Sequence, residues 1–217
     1  MAAFDLEEQE QISQIKGWWE QYGKLVTTLA VVAALASVGW QGWNWHKGKQ
    51  AAEASVLYDQ LQNAAAERNA PKVREIAGSL LEKYSGTAYA DLAALLSAKI
   101  QAEAGDLKNA RVPLAWAAGN ASDPALRDLA RLRLASVMLD DKAYDEALAQ
   151  LQAAPDESLT ARFADLKGDI LVAQGKKEDA RAAYKTVVTS LEKATKAEAV
   201  TLREIAQAKL DAVGGAQ

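Results

Sequence analysis

Residues 25–45 read LVTTLAVVAALASVGWQGWNW, a run without a single charge. An α-helix rises about 1.5 Å per residue, so this run reaches about 32 Å, against a hydrocarbon core of roughly 30 Å. Thr27, Thr28, Ser37, Gln41 and Asn44 dilute it. The aromatic residues decide the reading. Five of the six tryptophans flank the run: Trp18 and Trp19 before it, Trp40, Trp43 and Trp45 at its end, with Tyr22 in the first group. Indoles at both ends of an apolar helix form the belt expected where acyl chains meet headgroups, and Lys24 and Lys47 can extend outward from the two boundaries. A buried core helix has no use for tryptophans grouped at its ends, and an amphipathic surface helix needs a charged face that this run lacks. A cleavable signal peptide is the serious rival, because Ala34-Leu35-Ala36 resembles a cleavage site. Its leading region would be long and acidic, which is the wrong flank. The expectation is a permanent membrane helix over residues 25–46.

Outward on the N-terminal side lies an acidic tail, residues 1–24, where Asp5, Glu7, Glu8, Glu10 and Glu20 outweigh Lys16 and Lys24. That segment carries −3 of the chain's net −4, so the rest is nearly neutral and lacks the basic face a nucleic-acid binder needs. Charge does not orient the helix: Lys16 and Lys24 on one side balance Lys47 and Lys49 on the other. The short tail leans toward remaining inside while the following domain is exported. Within the span, Ala30 with Ala34, and Ala33 with Ser37, form pairs of small residues suited to close helix contact, though alanine is common throughout the chain.

On the C-terminal side the composition is all-α. Half of the residues are hydrophobic but only 6% are aromatic, and alanine, the best helix former, dominates. A domain running from residue 47 to 217 shows helical stripes separated by turns. Ala51, Ala54, Leu57, Tyr58, Leu61 and Ala65 form one face; Val73, Ile76, Ala77, Leu80, Leu81 and Tyr84 form the next. Turns at Gly105-Asp106, Asp141-Lys142 and Gly175-Lys176 are followed by Ala110, Ala147 and Ala180, with Leu114, Leu151 and Tyr184 four positions further on. The spacing of about 35 residues is that of a two-helix unit, close to the roughly 34 residues of a tetratricopeptide repeat. The alanine sits where the second helix of a pair crosses the first; the larger residue fills the space beside it. Asp123 and Pro124 start one first helix, with Leu126, Leu129, Ala130, Leu134, Val137 and Met138 on its stripe. Leu159, Phe163, Leu166 and Ile170 mark another after Pro155. A last helix, starting near Glu198 and ending near Val213, caps the stack. Pro113 breaks the pattern and predicts a late start or a kink, in a shortened unit that ends at Gly119-Asn120-Ala121-Ser122.

Chemistry-bearing motifs are absent. There is no cysteine and a single histidine, His46, so no thiolate or histidine pair can hold a metal. No glycine-rich phosphate loop occurs, and no cofactor is expected. Asp140-Asp141, Asp145-Glu146 and Glu178-Asp179 fall at turns or first helical turns, where acidic residues favour helix N-termini. Arg127 and Arg131, one turn apart, offer a cationic edge to a partner, or else pair with Asp128 on a solvated surface. Trp116 either plugs the stack near Pro113 or presents an anchor for a partner. An enzyme is the poorest of the readings, and a protein-binding module the best.

The N-terminal block carries a resemblance. DLEEQEQI (residues 5–12), IKGWWEQYGK (residues 15–24), an uncharged helix closed by tryptophans and repeats beyond it resemble the YfgM family of Gram-negative inner-membrane proteins. EKYSGTAYADLA (residues 82–93) is similar to the linker between repeats of such proteins, with Ser85 where the family usually has proline. The resemblance implies a cytoplasmic tail and periplasmic repeats. It implies an ancillary subunit of the Sec translocon that meets channel subunits, a membrane-anchored parvulin-like periplasmic chaperone and exported client polypeptides. It also implies a link between the acidic tail and a cytoplasmic stress-response regulator. It brings no catalytic residues. The alternative is a binding module of another envelope assembly or division pathway.

Overall fold

The computed structural model describes residues 6–214, with side chains from Ile12 onward; the tail carboxylates Asp5, Glu7, Glu8 and Glu10 lie outside the described side chains. Every regular element among them is helical. In order these are α1 (Leu6–Ala66), α2 (Ala70–Lys83), α3 (Ala88–Glu103), α4 (Leu107–Asn120), α5 (Pro124–Asp140), α6 (Tyr144–Gln150), α7 (Thr160–Ala173), α8 (Lys177–Ser190) and α9 (Ala197–Gly214), with one 3-10 turn at Glu157–Leu159. The chain divides into two compact units, Met1–Lys49 and Gln50–Gln217.

The first unit is carried by α1, whose apolar stretch is long enough to cross a membrane and has none of its most apolar window covered by the chain itself. Helix α1 extends beyond residues 25–46, the stretch expected to cross a membrane: it runs without interruption from Leu6 to Ala66, and the stripe over residues 51–65 is its final part. The reason is local. No proline occurs before Pro71, and residues 46–53 are mostly alanine, lysine, glutamine and glutamate, all good helix formers.

The second unit is a row of helix pairs built on one recurring turn. Four residues adopt left-handed backbone: Arg68 (φ 53), Gly105 (φ 78), Lys142 (φ 60) and Gly175 (φ 77). They recur at the period of the two-helix unit, and each reverses the chain in the same manner. The amide one position later donates back to the carbonyl five positions before it: Asn69 to Ala64 (3.0 Å), Asp106 to Gln101 (2.9 Å), Ala143 to Met138 (2.8 Å), and Lys176 to Leu171 (2.9 Å). This satisfies the helix-end carbonyls that would otherwise lack donors. Five positions past each turn stand Val73, Ala110, Ala147 and Ala180, all 0% exposed. The array therefore has four units rather than the three visible in the glycine and aspartate turns. In the first, Arg68 replaces the glycine and Val73 the alanine.

Neighbouring helices pack as the repeat requires. Ala54, Leu61 and Ala64 of α1 meet Val73, Ala77 and Leu80 of α2 and Ala93 of α3. The central cluster joins Ala94, Ala98, Ala110, Leu114, Ala130, Leu134, Ala147 and Ile170 from α3 to α7. One expectation needs correction. The unit holding Pro113 is not shortened, because α4 spans 14 residues, as do α2, α7 and α8. Pro113 is buried inside it, and burying the ring offsets the lost backbone bond. The short helix is α6, with seven residues, cut off by the segment over residues 151–155.

Candidate functional site

The aromatic residues of α1 stand in two groups on an uncovered helix. Trp18 lies 6.4 Å from Trp19 and 5.8 Å from Tyr22, centroid to centroid. Trp19 lies over Gly23, where an added Cβ would meet the indole at 3.1 Å. At the other end, Trp40, Trp43 and Trp45 are all more than half exposed, and the Lys47 ammonium stands 5.3 Å from the Trp43 ring. Two hydroxyls that dilute the span are satisfied by the same helix. Thr27 donates to the Gly23 carbonyl (2.7 Å) and Thr28 to that of Lys24 (2.8 Å). A hydroxyl bonded back to its own helix brings less polarity into lipid than its formula suggests.

In the repeat unit, Trp116 is half-buried against the central cluster and borders a cleft of about 230 Å³. Leu81, Pro113, Val112 and Ala77 supply apolar walls, and Gly78 leaves its floor open, with nothing within 4 Å of an added Cβ. Val112 beside it is 67% exposed. The cleft is the size of one large apolar side chain, and Arg74, Ser97 and Asn109 mark its polar edge.

Arg127 and Arg131 are engaged within the domain. Arg131 donates from Nε to the Gln150 carbonyl (3.1 Å), from Nη2 to that of Ala153 (2.9 Å) and from Nη1 to Asp128 (2.8 Å). Its guanidinium also lies 5.6 Å from the Phe163 ring. Asp128 in turn accepts from the Asp156 amide (2.8 Å). Together they fix the segment after α6. Arg127 donates to the Ala121 carbonyl at 2.8 Å. The two arginines are thus tied into the fold, while Trp116 borders an open cleft.

Of the acidic pairs, Asp141, Asp145 and Glu146 are tied to neighbouring helices, whereas Glu178 pairs within its own helix α8. Asp141 and Glu146 both receive Arg111 of α4, Asp141 at 2.9 Å. Asp145 accepts from Gln174 (2.8 Å), and Glu178 pairs with Arg181 (3.6 Å). Among the described residues, no group of three or more metal-type ligands comes together.

Sequence reasoning missed several polar anchors that join different helices. Asp91, 1% exposed, accepts from the Ser122 amide (3.1 Å) and hydroxyl (2.8 Å), fixing the start of α3 to the α4–α5 link. Gln101, also 1% exposed, donates to the Ala70 carbonyl at 2.7 Å. Lys209 of α9 holds both oxygens of Asp165 at 2.9 Å and reaches Asp169, whose other contact is the Tyr184 hydroxyl at 2.7 Å. No single helix contains such a signal. Only the repeat period, which places α7 beside α8 and α9, brings these residues together.

Comparison with known proteins extends the picture. A family model described as a tetratricopeptide repeat-like domain matches residues 16–215. An ancillary SecYEG translocon subunit of Haemophilus influenzae is 34% identical over 182 residues, covering 84% of this chain and 89% of its own length. The protein of that name from Escherichia coli K12 is 29% identical over 186 residues, covering 84% and 88%. That of Neisseria gonorrhoeae is 28% identical over 212 residues, covering 97% and 99%. No solved structure matches.

Proposed function

The chain belongs to the YfgM family of ancillary SecYEG translocon subunits, and from that premise we propose that it is a membrane-anchored, non-enzymatic scaffold at the Sec channel. Residues 25–46 lie in the inner membrane, with Trp18, Trp19 and Tyr22 at one interface and Trp40, Trp43 and Trp45 at the other. Residues 1–24 stay in the cytoplasm, where the acidic tail meets a stress-response regulator. Residues 47–217 stand in the periplasm, where the repeats receive a membrane-anchored, parvulin-like chaperone and exported client polypeptides.

The observation that carries the reading is the pairing of two features in one chain. An uncovered apolar helix bears aromatic residues at both ends, and the chain goes on into an array of helix pairs joined by polar anchors such as Asp91, Gln101, Arg111 and Lys209. Tethering such an array to the membrane raises its effective concentration near emerging chains, so each contact can be weak. The Trp116 cleft suits that role: it admits one apolar side chain, a contact that every unfolded client offers in many places.

The test combines a topology reporter at the C-terminus with purification in mild detergent. A periplasmic reporter signal and recovery of channel subunits are expected. A cytoplasmic signal would refute the orientation. Recovery of another envelope assembly without the channel would refute the translocon assignment.

A further inference from the structure

Three helices build the cleft that Trp116 borders. Ala77 and Leu81 of α2 form one wall, and Val112, Pro113 and Trp116 of α4 form the other. Between them α3 contributes one residue, Ser97, which is 2% exposed. Of the polar side chains that line the cleft, it alone is so deeply buried.

The Ser97 hydroxyl has no hydrogen-bond partner among the described residues. Thr27, Thr28, Thr186 and Thr201, by contrast, each donate to the carbonyl four positions back in their own helix. An exposed hydroxyl without such a bond is served by solvent, but a buried one that bonds nothing is costly. Nor is Ser97 sealed off, as Asp91 Oδ1 and Gln174 Oε1 are. Its outlet is the cleft.

The cleft thus sets two chemistries in a fixed order, apolar walls first and a single hydroxyl at their inner end. An aliphatic or phenyl side chain would fill the walls and leave Ser97 unbonded. Short polar side chains would not reach it. A lysine or arginine would carry its charge past Arg74 into an apolar site. A phenol matches both parts: its ring is apolar, and its hydroxyl stands at the far tip, able to give or accept a hydrogen bond. At the mouth, the half-exposed Arg74 guanidinium lies 3.6 Å from Asp106, too far for a hydrogen bond. Its N–H groups can meet a backbone carbonyl of the segment that carries the tyrosine.

We propose that the Trp116 cleft is selective for tyrosine, taking the phenol of an extended client segment with its hydroxyl on Ser97. The proposal rests on the reading that this cleft receives client side chains, and adds which side chain it selects. Ser97 is the specificity-determining residue.

The test uses the full chain in lipid nanodiscs and two capped peptides, Gly-Ser-Tyr-Ser-Gly and Gly-Ser-Phe-Ser-Gly. Titration is followed on the methyl resonances of Val112 and Leu81, which line the cleft. The tyrosine peptide should bind at least about threefold more tightly than the phenylalanine peptide, as one added hydrogen bond supplies. In Ser97→Ala the phenylalanine peptide should bind within about twofold as before, and the advantage of tyrosine should vanish. That variant removes an unbonded hydroxyl and inserts the best helix former, so its Tm should not fall. Equal affinities in the unaltered chain, or a tyrosine preference that survives Ser97→Ala, would overturn the proposal while leaving the cleft an apolar docking site. Methyl resonances that move with neither peptide would overturn it together with the client role of the cleft.

Discussion

Gly168 of α7 faces the ring of Tyr184 of α8 so closely that a Cβ added to it would lie 2.3 Å from Cε1. Tyr184 cannot swing aside freely. It is 2% exposed, and its hydroxyl is held by Asp169 at 2.7 Å. The glycine permits the crossing of the last repeat pair, with Tyr184 filling the place that Leu114 and Leu151 take in the two units before.

Gly168→Ala therefore tests two opposed effects. Alanine favours a helix interior by up to about 1 kcal/mol over glycine. Forcing a methyl group into a filled core costs typically about 1–3 kcal/mol. The clash should win, and thermal melting followed by circular dichroism should show a lower Tm. The second variant Gly168→Ala with Tyr184→Leu should regain much of the loss. A Gly168→Ala chain that melts higher than the parent would mean the contact is looser than described.

The four reversing turns predict substitutions of opposite sign at equivalent places. Lys142 adopts φ 60, a conformation that disfavours any residue with a Cβ, whereas Gly105 meets the same requirement freely at φ 78. Lys142→Gly should stabilise by about 0.5–1 kcal/mol, and Gly105→Ala should destabilise by about 1 kcal/mol or more. Urea unfolding measures both. If the two shifts had the same sign, the turns would not be equivalent.

These turns also show what the sequence could and could not reveal. The period was legible wherever glycine or a short polar turn marked it, at Gly105, Asp141-Lys142 and Gly175, because conformations with positive φ select glycine. A break between the stripes ending at Ala65 and starting at Val73 was legible at Asn69-Ala70-Pro71, but its membership in the period was hidden because Arg68 fills the left-handed position and valine replaces the alanine beyond it. The apolar span was legible from composition and the tryptophans, but its continuity into residues 47–66 was not, since a change in composition is not a break in a helix. Pro113 misled because proline's cost is local, while the burial that offsets it is a property of the assembled stack. The Trp116 cleft and the Lys209 cluster depend on helices that lie far apart along the chain, and no local pattern announces them.

The Lys209 cluster makes the cap sensitive to alkali. Burial works to lower the ammonium's proton affinity, but its bonds to Asp169 and then Asp165 outweigh this and hold it above the ordinary value. Tyr184 is raised as well, by burial first and then by its bond to Asp169. A group whose value is raised on folding contributes stability that is complete below the unfolded value, about 10.4 for lysine, and lost as the pH rises through the folded value. Asp165 is also raised, chiefly by burial against the opposing Lys209 bonds, so its contribution is complete at the acid end and is lost as the pH rises through its folded value. The charged or titratable groups facing Lys209 are thus Asp165 and Asp169 from α7 and Tyr184 from α8. The Tm should be flat from about pH 7 to 9 and fall above about pH 10.5, and Lys209→Arg, which keeps its charge to higher pH, should delay the fall. An identical alkaline profile for the arginine variant would assign the loss elsewhere.

The proposed anchor makes its own prediction. Leu35, 68% exposed on α1, lies at the middle of residues 25–45. An arginine at the centre of a membrane helix costs roughly 2.5–3.5 kcal/mol of insertion. Leu35→Arg should increase the fraction released from membranes by alkaline carbonate. Leu92→Arg, an exposed position on α3, should not. Release of the unaltered chain under the same wash would exclude a spanning helix.

The Trp116 cleft can be filled without harming the fold, which separates docking from stability. Gly78 lies inside α2, is exposed and has nothing within 4 Å of an added Cβ. Leucine there gains helix propensity of up to about 1 kcal/mol over glycine, so Gly78→Leu should fold at least as stably as the parent. Its side chain would occupy the space between Leu81, Val112 and Trp116. If the cleft receives apolar side chains of clients, photocrosslinking from a probe at residue 112 to exported polypeptides should drop several-fold in Gly78→Leu. Trp116→Ala should also lower it, but with some loss of stability because that ring packs on the core. Unchanged crosslinking in a stable Gly78→Leu chain would place client contact on another face of the array.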